Sequence, residues 1–442
     1  MERFGKTRQI LYASGTIGQS IADNIFGVYL IFFLMPPKES GMPELISGEV
    51  VFAGLTVLGL IIIFGRVIDS ISDPLIAWLS DRARFAMGRR KFFLVTGALP
   101  LAAATALLFF PPDSTKSAAN AVYIALMLGL FFIAFTYYVA PYLALLPELS
   151  PERGGRVFIS AAIAAFSLLG AALVMIGIPL LQEIFAPLGA SAALKISICI
   201  ASLAALVSLI SGAAPIDEKR FGESKPAETG FLESLKMTLS NKTFLIYMLG
   251  TILFWFSFNI IRSLIAYYPI VLLQKEQSFQ TVLMALLFGS AFLCFIIINI
   301  ISKHITNKIL MLAGLLSFSL FMSLTYFIDM FGDYRVYAAC AHMILLGIPV
   351  SILLVIPNAI VSNISSMDGL KTGIRREAMF FGVQGFFMKI NYGVAAAAAS
   401  YLFAVFGKDA ANPMGVKMAG PTGGIFALIG FVVFLFYPQK DE

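Results

Sequence analysis

Two carboxylates lie one helical turn apart within an apolar stretch, in the segment GRVIDSISDP that begins at Gly65. Asp69 and Asp73 have the i, i+4 spacing that places two side chains on one face of a helix. The preceding residues VVFAGLTVLGLIIIFG are almost all apolar, so we expect this helix to cross a membrane. An ionised carboxylate costs at least about 3 kcal/mol in hydrocarbon. The pair therefore predicts a water-filled cavity, a counter-ion or a bound cation.

Arg66 lies one turn before Asp69 and can supply part of the compensating charge. A static Arg–Asp pair that only holds helices together is the alternative interpretation. One Arg leaves the second carboxylate uncompensated. We therefore favour a cation site on this helix face.

The composition places these charges in a polytopic membrane protein. Of the 442 residues, 59% are hydrophobic and 13% charged, and the mean hydropathy is +0.89, which excludes an ordinary soluble domain. Apolar runs of spanning length predict twelve helices, at 10–35, 47–80, 92–111, 118–147, 157–186, 190–213, 243–273, 279–302, 309–330, 336–362, 374–406 and 419–437.

One long polar stretch, 214–241, divides the predicted spans six and six. We expect an all-α membrane protein of two six-helix bundles, residues 1–213 and 242–442. The stretch between them is predicted to be a cytoplasmic linker, with FLESLKMTL as a short amphipathic surface helix.

Positive charge predicts the orientation. With the N-terminus inside, most of the 31 Lys and Arg residues fall in cytoplasmic segments, so both termini are expected in the cytoplasm and the protein in the cytoplasmic membrane. The net charge of +6 expresses this bias, and we expect no nucleic-acid partner. The N-terminus MERFGKTRQ shows no signal-peptide pattern.

Cys199, Cys294 and Cys340 lie in spans without a CxxC motif, which predicts buried thiols and no metal site.

Polar residues near the middle of other spans are candidates for contact with a solute. Arg262 and Lys389, for example, are too deep to reach a membrane surface easily. Each such group has a structural interpretation, as a bond between helices, and a functional one, as a cavity contact. We predict the functional role for Asp23, Asn24, Tyr137, Arg262, Gln384 and Lys389.

A charged cluster follows the second span. Much of it is explained by the positive-inside bias alone. Asp81 is better explained as a latch, because a carboxylate there can pair with Arg side chains or a helix N-terminus and release them when the cytoplasmic side opens. The predicted latch residues are Asp81, Arg82, Arg89 and Arg90.

Three motifs together resemble one family. They are R-x-x-D-x-x-x-D-P in the second span, P-Y-x-A-L-x-P-E-L from Pro141 to Leu149, and R-R-E followed by K from Arg375 to Lys389. The chain is similar over essentially all spans to the glycoside–pentoside–hexuronide:cation symporters of the major facilitator superfamily (MFS). This resemblance implies the MFS fold and cation-coupled symport by alternating access.

The resemblance also implies residue roles. Asp69 and Asp73 match the family's cation-holding carboxylates, and Thr136 matches a hydroxyl that completes that site. Ser72 stands where the familiar sugar carriers have Asn, and its hydroxyl can still offer an oxygen, so it is a fourth predicted cation ligand. The change leaves Na⁺, Li⁺ and H⁺ open as coupling cation. Lys389 matches a Lys near both cation and substrate.

The departures concern the solute. Ser20, Val139 and Ala164 stand where the family's sugar carriers have two Asp and one Arg. Asp23, on the face of Ser20, can replace one of these carboxylates. We expect import of a glycoside or hexuronide with a monovalent cation, and the alternative is a Na⁺-dependent symporter of an anionic or zwitterionic amphiphile such as a lysophospholipid.

A remote alternative is an intramembrane enzyme, but the chain has no HExxH or GxSxG motif. We therefore expect no enzyme activity and no cofactor. The expected partners are a small-molecule solute, the coupling cation and the lipid bilayer, and the chain is expected to act as a monomer.

Overall fold

Long apolar helices account for most of the described residues. The computed structural model describes residues 5–52, 55–83, 85–149, 153–217, 231–301, 304–372 and 377–438. The chain divides into two units, Met1–Pro226 and Ala227–Glu442. Their boundary lies within the polar stretch 214–241.

The first unit is helical apart from one small hairpin. Two of its helices are extended by π-helical turns: Ile25–Tyr29 joins α1 to α2, and Leu173–Gly177 joins α6 to α7. The helices are α1 (Lys6–Asn24), α2 (Leu30–Leu34), α3 (Val57–Arg82), α4 (Arg89–Leu107), α5 (Ala118–Leu149), α6 (Arg153–Ala172), α7 (Ile178–Phe185) and α8 (Ala190–Ala213).

The second unit begins with a short helix over FLESLKMTL, and six long helices follow. A π-helical turn, Tyr268–Leu272, comes after α10, and a 3₁₀ segment, Thr325–Tyr334, joins α12 to α13. The helices are α9 (Phe231–Leu239), α10 (Lys242–Leu264), α11 (Phe279–Ile301), α12 (Asn307–Leu324), α13 (Arg335–Thr372), α14 (Glu377–Phe406) and α15 (Met414–Leu435).

Within the described ranges, nine continuous helical segments are long and apolar enough to cross a membrane. One of them, Asn307–Thr372, runs through two predicted spans. The charged helix α3 is not among the nine, and α11 has a shorter apolar segment, Phe279–Phe295. This is the all-α membrane architecture that the sequence predicts.

Two local expectations are wrong. The second span was expected from residue 47, but Val50–Phe52 and Leu55–Thr56 pair as antiparallel strands and α3 begins at Val57. The β-branched residues there favour strands, and the Thr56 side chain caps α3 by accepting the Gly59 N–H at 3.0 Å. The three cysteines are half-buried rather than buried, since a thiol is compatible with the partly exposed face of an apolar helix.

The backbones of helices α1 and α8 are in direct contact. A Cβ added at Gly212 would lie 2.6 Å from the Gly15 Cα atom, and one added at Gly18 would lie 2.5 Å from the Ala205 carbonyl oxygen. Only a residue without a Cβ fits at such a distance. The two helices therefore form one tightly packed pair.

We expect Gly212→Val to lower the free energy of unfolding by about 1–3 kcal/mol, because the added atoms force α8 away from α1. The thermal unfolding midpoint of the purified protein measures this effect. Gly289→Ala is the control, since a Cβ at Gly289 meets nothing within 4 Å. Equal destabilisation by both substitutions would contradict close packing as the cause.

Candidate cation and solute sites

A buried ionic cluster joins α3 to α5 in the first unit. Arg66, Asp69 and Asp73 follow each other at helical spacing on α3. The Asp69 Oδ2 atom lies 3.2 Å from Arg66 Nη1. On α5, the Thr136 Oγ1 atom lies 2.9 Å from Asp69 Oδ1 and 3.0 Å from Asp73 Oδ1. The structure therefore brings together the side chains of three of the four residues predicted to hold the cation, Asp69, Asp73 and Thr136.

The charges of this cluster do not balance among its four side chains, since two carboxylates face one guanidinium. Asp69 is 1% exposed and Arg66 is 7% exposed, so water screens these charges little. The Thr136 hydroxyl has one proton and can donate to only one of the two carboxylate oxygens it faces. A monovalent cation or a proton bound at the carboxylates would remove the excess negative charge.

Two aromatic rings flank the guanidinium, a feature that the sequence did not predict. The Arg66 Cζ atom lies 4.5 Å from the centre of the Phe132 ring and 5.2 Å from that of Phe26. Phe132 precedes Thr136 by four residues, so both reach α3 from one face of α5. This spacing is the only sequence signal for the contact.

Two other predicted residues have different neighbours. The Ser72 hydroxyl donates to the Asp69 backbone carbonyl at 2.9 Å, within its own helix. The Tyr137 hydroxyl lies 3.1 Å from Thr96 Oγ1 on α4, and its ring packs on Phe93. Neither of these bonds reaches the carboxylates of the ionic cluster.

The polar pair of the first span sits where α1 meets its π-helical turn. Asn24 is buried, and its Nδ2 atom donates to the Ser20 carbonyl at 2.8 Å. Asp23 is half-buried and has an interaction partner in the protein. The prediction that both contact the solute stays a prediction.

The predicted solute residues of the second unit lie on α10 and α14. Arg262 is 9% exposed and Lys389 is half-buried. Both cations have interaction partners in the protein. The prediction that they contact the solute stays a prediction. Gln384 lies against the Tyr247 hydroxyl, a neighbour that the sequence did not predict.

The predicted latch is only partly described. The side chains of Asp81 and Arg82 lie outside the described part of the chain. Arg89 is half-buried. Arg90 is buried, and its Nη1 atom donates to the Ala144 carbonyl at 2.8 Å, close to the C-terminal end of α5, where the helix dipole favours a cation.

Long apolar helices in two units, with a largely buried ionic cluster between two of them, are typical of a polytopic transport protein. A family model described as MFS/sugar transport protein matches residues 11–438. The chain belongs to this family. It is therefore an integral, multi-pass membrane transport protein and not an enzyme, and both the all-α MFS fold and the family resemblance are confirmed.

Several proteins are similar to the chain. An uncharacterised symporter of Synechocystis is 23% identical, over 99% of this chain and 95% of its own. Lactose permease of Lactobacillus helveticus is 22% identical over 89% of this chain and 62% of its own. A putative glycoside/cation symporter of Escherichia coli is 27% identical over 28% of each chain.

Solved structures show the same fold at low identity. A bacterial homologue of the human lysosomal transporter Spinster, in an inward-facing and unoccupied conformation, has a TM-score of 0.69. It is 12% identical, and the match covers 98% of this chain and 97% of that one.

We expect Thr136→Val to destabilise the protein by about 1–3 kcal/mol, because it removes the hydroxyl donor that the carboxylates of Asp69 and Asp73 share. The thermal unfolding midpoint in detergent measures the loss. Thr105→Val is the control: Thr105 is also fully buried, but its hydroxyl donates to the Leu101 carbonyl one turn back on its own helix. If Thr105→Val lowered the unfolding midpoint as much as Thr136→Val, the hydrogen bonds of Thr136 to the carboxylates would not explain the effect.

Proposed function

We propose that the protein is a cation-coupled symporter that imports a glycoside or a related sugar. The observation that carries this proposal is the buried cluster in which Thr136 bridges Asp69 and Asp73 beside Arg66. The Thr136 hydroxyl lies 2.9 and 3.0 Å from the two carboxylates, so three oxygen-bearing side chains are close enough to hold one monovalent cation. Relatives named as symporters, as a glycoside/cation symporter and as lactose permease support the same function.

The proposed coupling cation is Na⁺ or Li⁺, held by the carboxylates of Asp69 and Asp73 and the hydroxyl of Thr136. Small hard cations prefer oxygen ligands of this kind. Ser72 is a weaker candidate, because its hydroxyl is bonded to its own helix. A proton could neutralise the same carboxylates, and this possibility is an outcome of the transport test.

The proposed solute, a glycoside or hexuronide, is rich in hydroxyls. Its candidate contacts in the first unit are Asp23 and Asn24, and in the second unit Gln384 and Lys389. These groups combine hydrogen-bond donors and acceptors, as binding of sugar hydroxyls requires. The relatives are named as symporters, as a glycoside/cation symporter and as lactose permease, and none of these names supports an amphiphile as the solute.

Coupling follows from linkage between the two ligands. If cation and solute each raise the affinity for the other by about 1–3 kcal/mol, the doubly loaded and the empty forms dominate the transport cycle. The direction of the gradient then sets the direction of uptake. We place both termini in the cytoplasm and the protein in the cytoplasmic membrane, on the distribution of Lys and Arg.

Uptake into proteoliposomes tests the proposal. The probes are radiolabelled lactose, an aryl glucuronide and a lysophosphatidylcholine, each with an inward Na⁺, Li⁺ or proton gradient. We expect accumulation of a glycoside that depends on Na⁺ or Li⁺. Accumulation driven by a proton gradient alone would correct the cation, and transport of the lysolipid alone would contradict the solute class.

We expect Asp69→Asn and Asp73→Asn each to abolish gradient-driven accumulation, since each substitution removes one charge but keeps the side-chain shape. Asp113→Asn makes the same chemical change at an exposed loop residue and is expected to transport normally. Full cation dependence in both span variants would contradict the assignment of these carboxylates.

A further inference from the structure

The Arg66 guanidinium is shared between one carboxylate and two aromatic rings. Phe26 and Phe132 are 5% and 2% exposed, and their ring centres lie within 5.2 Å of the Arg66 Cζ atom. They come from different helical segments, the π-helical turn after α1 and the middle of α5. A ring face attracts a cation most strongly where water is excluded. Both rings therefore stabilise the charge of Arg66.

A glycine makes the closer of these contacts possible. Gly65 precedes Arg66 on α3, and a Cβ added there would lie 2.8 Å from the Cε2 atom of Phe132. Any other residue would push the ring edge away from α3. The approach of Phe132 to Arg66 thus depends on the backbone at position 65.

The rings differ from a carboxylate in one respect that matters for a cation site. A carboxylate that pairs with Arg66 is lost, in part, as a ligand for another cation. A ring stabilises the guanidinium without using a carboxylate oxygen. When a cation binds Asp69, the two positive charges compete for that carboxylate, and the rings keep Arg66 stable as its share of the carboxylate falls.

We propose that Phe26 and Phe132 form an aromatic clamp on Arg66 that sets the affinity of the cation site at Asp69 and Asp73. This inference rests on the proposed function. The two phenylalanines are positioning residues, since they act on the cation through Arg66. Without the clamp, the guanidinium loses two stabilising ring contacts. It then depends more on the Asp69 carboxylate and competes more strongly with the coupling cation.

The clamp also connects the cation site to the first span. Phe26 belongs to the π-helical turn Ile25–Tyr29, which directly follows Asp23 and Asn24. A displacement of that turn moves the Phe26 ring relative to Arg66. The predicted solute contacts in the first span and the cation site are therefore linked through one turn, the one that carries Phe26.

Cation binding to the purified full-length protein tests the clamp without knowledge of the solute. The rise of the thermal unfolding midpoint, as NaCl replaces choline chloride at constant ionic strength, gives an apparent Na⁺ affinity. We expect Phe26→Leu and Phe132→Leu each to weaken this affinity by roughly 3- to 30-fold. Phe132→Tyr keeps the ring and is expected to behave like the wild type.

Two further variants separate the clamp from packing. Phe131 is buried in the same aromatic cluster, with ring centres 5.8 Å from Phe26 and 5.3 Å from Phe132. Phe131→Leu is expected to lower stability but to leave the Na⁺ affinity unchanged. Gly65→Ala retains both rings but displaces the edge of Phe132, and we expect it to weaken Na⁺ binding.

The outcomes distinguish the clamp from the proposed function. Unchanged or tighter Na⁺ binding in both leucine variants would overturn the clamp and leave the cation site in place. An equal loss of affinity in Phe131→Leu would also overturn it, because packing alone would then explain the effect. Absence of any stabilisation of the wild type by NaCl or LiCl would contradict the cation site and the clamp together.

Discussion

Two carboxylates on one face of a membrane helix are the constraint on which the first unit depends. Their desolvation must be offset locally, because no bulk water reaches a side chain that is 1% exposed, as Asp69 is. Arg66 offsets part of it from the same helix and Thr136 contributes a hydroxyl from α5. Helices α3 and α5 are therefore joined by hydrogen bonds from Thr136 and by the contact of Arg66 with the Phe132 ring, as well as by apolar packing.

In the second unit, several polar side chains join helices to neighbouring segments. His342 on α13 joins three segments: its Nε2 atom donates to the Phe321 carbonyl at 2.8 Å, and its Nδ1 atom lies 3.2 Å from the Tyr268 hydroxyl. Lys417 pairs with Asp329 at 2.8 Å. These contacts hold helices to their connecting segments.

The sequence predicts what depends on spacing along one helix and fails where distant segments meet. Arg66, Asp69 and Asp73 could be placed together because their spacing is helical. Phe26 and Phe132 could not, because two rings among 41 Phe residues carry no signal of their own. Thr136 was assigned only through the family resemblance, since its partners lie on another helix.

Two other residues show why a neighbour in sequence is a poor guide to a neighbour in space. Ser72 lies between the two carboxylates in sequence, but a short hydroxyl in a helix can return to a carbonyl of its own preceding turn. Tyr137 follows Thr136 directly, yet one residue along a helix turns the side chain by about 100°, and its hydroxyl meets α4. The early start predicted for α3 failed for a similar reason, because apolar β-branched residues suit a strand as well as a helix.

The π-helical turn in the first span affects how this chain is compared with its relatives. A π-bulge contains one residue more than the α-helical turn it replaces. In a relative whose first span is uninterrupted α-helix, residues that occupy the same place in space shift by one position in sequence after Tyr29. Residues before Ile25 and residues in Leu30–Leu34 must then be aligned to such a relative with different offsets. An alignment without a gap across the turn pairs residues that have different neighbours in space.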